Sequence, residues 1–229
     1  MSMSVRRRPA FTLVELLIVV SVLTLLMSIL LPSLSRAREA ARKTQCASRL
    51  RAIFVATSVY IGEEGRFPPL NNEEDEGAWQ YNYLIYDDDE DFDFNFGPLA
   101  RPHGIIQYVE QLYCPVQEDP YHSLATDVNP WPVQEGHKTR AGYGRRFGLS
   151  GKSLSQIPEL IAFAGDVLHL PNVILSGHKT GVNVVYTDGH AEWVDDPGIL
   201  TNNELARPFD PLDNPIMEEI WTWLDQAGQ

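Results

Sequence analysis

The stretch RRRPAFTLVELLIVV, residues 6–20, opens a long apolar segment that contains one acidic side chain, Glu15. From Phe11 to Leu31 nearly every other residue is apolar or small. A helix of these 21 residues would be about 31 Å long, which matches the apolar thickness of a bilayer. A carboxylate in hydrocarbon costs about 3 kcal/mol unless it finds a partner. The stretch therefore predicts a membrane-spanning helix whose one acidic group needs an explanation.

Two simpler kinds of segment share this basic start and apolar core. A cleaved secretory signal has a shorter core that ends in small residues, whereas here the run continues to Pro32 and no Ala-x-Ala site follows. An uncleaved anchor is the stronger alternative, but it explains neither Glu15 nor the junction between RRRPA and Phe11. Arginines lie on both sides of the span, so the positive-inside rule gives no orientation.

Charge divides the chain into a basic start and an acidic remainder. Residues 1–60 contain nine Lys/Arg and two Asp/Glu, and residues 61–229 contain nine Lys/Arg and 29 Asp/Glu. Sequence-independent phosphate binding needs clustered Lys and Arg, so we expect no direct nucleic-acid binding by the acidic part.

The N-terminal residues resemble the type III signal of type IV pilins and type II secretion pseudopilins. In those families a basic leader ends in a small residue, usually Gly, and Phe-Thr-Leu-(Ile/Val)-Glu and a long apolar helix follow. This chain has Ala10 and then Phe11 to Glu15. The resemblance implies a leader of residues 1–10, cleavage between Ala10 and Phe11 by a prepilin peptidase, and N-methylation of Phe11. It also implies a helix kink at Pro32, where these families place a loosening proline.

The same resemblance implies a role for Glu15 in assembly. After cleavage, the α-amine of Phe11 is positively charged, and Glu15 of an incoming subunit would neutralise the amine of its neighbour in the filament. The alternative is that Glu15 reaches the lipid headgroups from the start of the helix.

The resemblance also predicts the fold, an α+β pilin-like architecture. A spine helix over 11–60, transmembrane over 11–31, packs its second half on a small antiparallel sheet. The head covers 61–195 and a tail covers 196–229, with a short helix at 215–226 that docks on the head or contacts a neighbouring subunit. Leu50, Ile53, Phe54 and Thr57 give the apolar face of the spine. Arg49-Leu50 departs from the Asn-Leu found at this point in a related group of prepilin-type proteins.

An irregular acidic region occupies residues 71–98. Its composition favours a solvated, flexible loop. The alternative is a calcium site, which some major pseudopilins have in a loop of the head, although the spacing is not that of an EF-hand. Otherwise we expect no metal and no cofactor. The candidate calcium ligands are Asp87, Asp88, Asp89, Asp91 and Asp93.

The two cysteines, Cys46 and Cys114, are too far apart in sequence for a CxxC metal or redox motif. In an extracytoplasmic compartment they could form a disulfide. Two buried free thiols are an equally good interpretation.

The segment HKTGVNVVYTDGHAEWV, residues 178–194, predicts a β-hairpin around Asp188-Gly189. A two-residue turn there would pair Val184 with Trp193 and Tyr186 with Ala191. His178 lies ten residues before Asp188, which is the signature of the H-X9-DG group of prepilin-type proteins. We favour a structural role, in which His178 bonds near the turn, over an acid/base pair or metal site. Leu160 to Ala164 reads as a buried strand that ends in a turn at Gly165-Asp166.

Together these features predict a non-enzymatic, structural subunit of a type IV pilus-like or type II secretion filament. Its partners would be the prepilin peptidase, other pilins or pseudopilins and copies of itself. It would be a single-pass protein of the bacterial inner membrane, with the head in the periplasm or on a cell-surface filament. The alternative is a singly anchored extracytoplasmic binding or hydrolytic domain that does not polymerise.

Overall fold

The computed structural model describes residues 12–70, 82–88, 91–157, 160–167, 171–196, 198, 200 and 214–228. The chain forms two compact units, Met1–Ala41 and Arg42–Gln229. The predicted leader and Phe11 lie outside the described residues. The spine helix, α1, spans Leu13–Glu64, and the prediction was 11–60.

The second part of α1 packs in the head through one side. Cys46, Leu50, Ile53 and Thr57 are buried at spacings of three and four, which places them on one face of the helix. Gly65, at φ +75°, follows the last residue and accommodates the left-handed conformation that commonly ends a helix.

The head contains a four-stranded antiparallel sheet in the order β3-β4-β5-β6. Two further strands, β1 and β2, form a separate antiparallel pair. The predicted α+β class is therefore confirmed. The strands are β1 Leu84–Tyr86, β2 Thr139–Arg140, β3 Tyr143–Arg145, β4 Ala162–Asp166, β5 Gly181–Tyr186 and β6 Ala191–Asp195. The other helices are α2 Gly97–Ala100, α3 Pro171–Ser176 and α4 Asn214–Ala227, with short 3-10 helices at Val109–Leu112 and Leu154–Gln156.

Helices cover both faces of the four-stranded sheet. Val185 of β5 packs in a cluster with Ile53 and other residues of α1. Its neighbours Val184 and Tyr186 pack in a second cluster with Trp221 of α4 and the residues around it. Side chains alternate between the two faces of a strand, and here both faces are covered. β5 is therefore buried along its whole length.

A partly buried ion pair joins α4 to the head. Both carboxylate oxygens of Asp225 accept hydrogen bonds from Arg146, at 2.6 and 2.7 Å, and Oδ1 also accepts the backbone N–H of Ala162 at 2.7 Å. The side chains of Arg146 and Asp225 are 16% and 17% exposed. The helix predicted at 215–226 is therefore α4, and it docks on the head.

The register predicted for the β5–β6 hairpin was wrong by one residue. Val184 pairs with Glu192 and Val185 with Ala191. A type I′ turn needs a positive φ at both central residues, and here only Gly189 has one, at +87°. The backbone N–H of Tyr186 donates to the His190 carbonyl and that of Gly189 to the Tyr186 carbonyl, both at 2.9 Å. The loop therefore has three residues, with the glycine in the left-handed position.

The turn predicted at Gly165-Asp166 was also wrong, because both residues belong to β4. Gly165 lies across from Val184 and Asp166 across from Tyr143. A side chain on Gly165 would come within 3.0 Å of the Asn183 carbonyl, so the glycine permits close approach of the strands rather than a reversal of the chain.

The acidic region is only partly a solvated loop. Tyr83, Leu84 and Ile85 are buried, and so are Phe94 and Phe96. The aromatic residues that alternate with the aspartates form this part of the core. This alternation indicates partial burial, but the acidic composition of the whole region hides it.

Candidate functional site

The first turn of α1 is closed by Thr12 and Glu15. Glu15 Oε2 accepts the backbone N–H of Thr12 at 2.9 Å and its hydroxyl at 2.7 Å, and the Thr12 hydroxyl lies 3.2 Å from the backbone N of Glu15. This is the reciprocal geometry of a capping box. The carboxylate of a single chain therefore has a partner at the start of its own helix.

The first part of α1 has the properties of a membrane span. Within the described residues it is the one helix long and apolar enough to cross a membrane, and the apolar window is not buried in the protein. The hydroxyls of Ser21, Thr24, Ser28 and Ser33 all donate to carbonyls of the same helix. Hydrocarbon offers no hydrogen bonds, so such internal pairing is needed there. The helix continues through Pro32.

Four ligand-type side chains meet in the head. Cys46 comes from α1, Cys114 follows the 3-10 helix Val109–Leu112, Asp166 ends β4, and His178 lies between α3 and β5. All four are buried, and one sulfur, nitrogen or oxygen atom of each lies within 4.8 Å of the others. We call this group the Cys-His-Asp cluster.

The imidazole is at the centre of the Cys-His-Asp cluster. His178 Nε2 lies 3.3 Å from Cys46 Sγ, 3.5 Å from Cys114 Sγ and 4.0 Å from Asp166 Oδ2. The two sulfurs are 2.6 Å apart, and both cysteines are free. The His178 ring stands edge-on to Trp193, with centroids 5.2 Å apart.

The members of the cluster shift one another's pKa values. The Cys114 thiol and, more weakly, His178 lower the pKa of Cys46 to about 6 although burial opposes the shift. For His178 the effect of burial has the opposite sign and lowers the pKa. The Cys46 sulfur and the Asp166 carboxylate outweigh it, so the net shift of the His178 pKa is upward. Relative to the isolated groups, these pKa shifts favour the thiolate form of Cys46 and the protonated form of His178.

Asp166 is held in place by the neighbouring strand. Its Oδ2 accepts the backbone N–H of Asn183 at 2.7 Å and the side-chain amide at 3.1 Å. Burial raises the pKa of Asp166, and His178 and Asn183 act against that rise. Oδ1 is buried and receives no hydrogen bond from any described residue.

His178 does not approach Asp188, so the predicted bond near the turn was wrong. Nine residues lie between them, and the six that form β5 alone span about 20 Å at about 3.4 Å per residue. Asp188 instead bonds His190, with Oδ1 2.6 Å from Nδ1, on the exposed side of the hairpin loop. The nine-residue spacing therefore measures one strand with its flanking residues.

Both ends of β5 contact α1. At one end His178 meets Cys46, and at the other Gly189 lies against the ring of Phe54. A Cβ on Gly189 would be 2.9 Å from Phe54 Cε1. The histidine and the glycine of the H-X9-DG spacing thus contact the spine helix at the two ends of this strand.

Gly189→Ala is expected to destabilise the head by about 2 kcal/mol, because the residue has a positive φ and the new methyl group would displace the Phe54 ring. Gly148→Ala is the matched control. Gly148 has a similar φ of +78° with open space around it, so backbone strain alone should cost about 1 kcal/mol. Urea unfolding of the full chain in detergent, followed by tryptophan fluorescence, measures both. Equal losses in the two variants would show that the Phe54 contact contributes nothing.

The candidate calcium ligands are not gathered in the described part of the loop. Asp89 lies outside it. Asp87 is buried and pairs with Lys138, with Oδ2 2.5 Å from Nζ. Asp88 accepts the Tyr86 hydroxyl at 2.9 Å and the backbone N–H of Gly136. Calcium binding here remains a prediction from composition.

Comparison with known protein families supplies the decisive observation for the N-terminus. Residues 5–31 match the prokaryotic N-terminal methylation motif. Residues 35–112 match a protein family of unknown function, DUF1559. No significant match was found among curated proteins or among solved structures.

The methylation motif confirms the pilin-like resemblance of the N-terminus and indicates a substrate of prepilin peptidase. With the single apolar helix, it indicates a membrane-anchored protein. Ala10 and Phe11 fall within the match, as do Glu15 and the apolar span.

Sequence reasoning missed Asp166 and Tyr143. Asp166 was assigned to a turn because Gly-Asp pairs are frequent there. The buried hydroxyl of Tyr143 receives and makes no hydrogen bond within the described residues. Neither residue has a local signal, since β3 and β4 place them beside the cysteines only through the folding of the sheet.

Proposed function

We propose that this chain is a structural subunit of a type IV pilus-like or type II secretion filament. The observation that carries the proposal is the methylation motif at residues 5–31, which leads directly into α1. The first part of α1 is apolar and exposed, as a helix that packs against lipid or other helices requires. One face of its second part is buried in the head.

The same motif supports the proposed partners and location. A prepilin peptidase would cut between Ala10 and Phe11 and methylate Phe11. The protein would then sit in the bacterial inner membrane as a single-pass subunit, with its head in the periplasm or on the filament surface. There it would assemble with other pilins or pseudopilins and with copies of itself. The acidic head supports the expectation that it does not itself bind nucleic acid.

We further propose that the head is structural and not catalytic. His178 and Asp188, the residues that might have formed an acid/base pair, lie at opposite ends of β5. Acid/base catalysis needs groups within hydrogen-bond reach of the reacting atoms, and Asp188 is bonded to His190 on the surface.

Processing and polymerisation can be tested together. Co-expressed with a prepilin peptidase, the mature protein should begin at an N-methylated Phe11, and the sheared fraction of the cells should contain it. Ala10→Gly, which restores the usual residue before the cut, should be processed at least as well. A mature chain that starts upstream of Arg6 contradicts the proposal. Correct processing with no sheared material would instead favour a singly anchored domain.

A further inference from the structure

We propose that the Cys-His-Asp cluster is a structural zinc site, with Cys46, Cys114, Asp166 and His178 as its ligands. The proposal is independent of filament assembly. Two thiolates, one imidazole and one carboxylate are all ligand types that Zn²⁺ accepts, and four ligands complete the tetrahedral coordination of structural sites. The thiolates exclude calcium and magnesium, which prefer oxygen ligands.

The distances around His178 fit a tetrahedral zinc ion. With bond lengths of about 2.3 Å to sulfur and 2.05 Å to nitrogen, a sulfur and a nitrogen ligand lie about 3.6 Å apart. The observed separations of His178 Nε2 from the two sulfurs are 3.3 and 3.5 Å. Two thiolate ligands lie about 3.8 Å apart in such a site, so the sulfurs of Cys46 and Cys114 must separate by about 1 Å through side-chain rotation. A cavity of about 10 Å³ lies beside Cys114, Asp166 and His178.

Asp166 is the residue that favours a metal over a disulfide. A Cys46–Cys114 disulfide would be neutral, and it would leave a buried carboxylate whose Oδ1 receives no hydrogen bond from any described residue. A buried carboxylate oxygen without a hydrogen-bond partner is unfavourable. A zinc ion would accept a lone pair of Oδ1, while Asn183 holds Oδ2 from the other side. Metal-ligating carboxylates usually have such a second hydrogen-bonded support.

The surroundings of the sulfurs also suit thiolates. Tyr143 is buried in the same core cluster as Cys46 and Cys114. Its hydroxyl has no acceptor of suitable geometry in the described part of the chain, and a zinc-bound thiolate would provide one. The Trp193 ring stands edge-on to His178 and fixes the imidazole plane. On binding, Zn²⁺ replaces the proton of each thiol that is still protonated and any proton on His178 Nε2, and those protons pass to solvent.

A zinc ion here would join four segments of the head. It would connect α1 to β4, to the segment after Val109–Leu112 and to the loop between α3 and β5. Because the ligands come together only in the folded protein, the binding free energy would add to the stability of the head.

The test uses the full chain, purified in detergent without chelator or reductant. We expect about one zinc per chain by elemental analysis, and an intact mass that corresponds to no disulfide. Added to metal-free protein, Co²⁺ should produce the visible absorption of a tetrahedral site with thiolate charge-transfer bands. This measurement needs no variant, so it is decisive even if a ligand substitution prevents folding.

His178→Gln and Asp166→Asn should each weaken zinc binding by at least about 100-fold in competition with a chromophoric chelator. His190→Gln is the matched control, because His190 also lies beside an aspartate but belongs to the exposed hairpin loop. It should bind zinc as the unmodified chain does. A Cys46–Cys114 disulfide in the purified protein, an absence of zinc and of the cobalt spectrum, or unchanged affinity in His178→Gln would each overturn the proposal.

Discussion

Glu15→Gln is expected to abolish filament formation while membrane insertion and cleavage after Ala10 continue. Glutamine can still accept the N–H of Thr12, since the capping box takes either residue, but it cannot neutralise the α-amine of a neighbouring Phe11. Leaving that amine unpaired in lipid costs about 3 kcal/mol at each contact, or about 100-fold in the association constant. The measurement is the sheared fraction of the processed protein, by immunoblot, relative to the total.

Thr12→Ala is the matched control for the Glu15 prediction. It removes the hydroxyl that bonds Glu15 and leaves the carboxylate charged. Losing a cap costs about 1 kcal/mol, so this variant should still assemble. If Glu15→Gln assembled normally and Thr12→Ala did not, the acid would serve to start its own helix rather than to pair with another subunit.

Asp225→Ala is expected to lower the free energy of unfolding of the head by about 3 kcal/mol. The substitution leaves the guanidinium of Arg146 largely buried without its carboxylate and removes the acceptor of the Ala162 N–H. In a unit of this size, the loss corresponds to a fall in Tm of about 10 °C. Thermal unfolding in detergent, followed by circular dichroism, measures it.

Two variants in α4 define what the Asp225 result means. Asp225→Asn keeps the acceptor for Ala162 but removes the charge, so its loss should be smaller than that of Asp225→Ala. Glu219→Ala changes an exposed acid on the same helix and should stay within about 0.5 kcal/mol of the unmodified protein. A loss below about 1 kcal/mol for Asp225→Ala would mean that solvent replaces the missing carboxylate.

The elements that the sequence predicts well are those with a local physical signal. The apolar run after Phe11 has only one stable environment, and the periodic face around Leu50 and Ile53 needs only a surface to pack on. The strand pair around Asp188-Gly189 was predictable for the same reason. Its register was not, because the difference between a two-residue and a three-residue loop depends on whether Asp188 takes a positive φ.

The Cys-His-Asp cluster could be predicted only in part. The sequence indicates that Cys46, Cys114 and His178 are unusual, but not that they meet, because 64 or more residues separate the histidine from either cysteine. Asp166 was beyond prediction, since a Gly-Asp pair suits a turn as well as a strand whose partner must approach closely. Only the order of strands in the sheet decides between them.

Because the residues at both ends of β5 contact α1, the length of this strand is constrained more strictly than its amino-acid composition. Many apolar residues could fill the strand, but inserting or deleting one between His178 and Asp188 would exchange its two faces. Val184 and Tyr186 would then turn from α4 toward α1. The histidine could then reach Cys46, or the glycine could reach Phe54, but not both. The head should therefore tolerate many substitutions in this strand, but not a change in the number of residues between the histidine and the glycine.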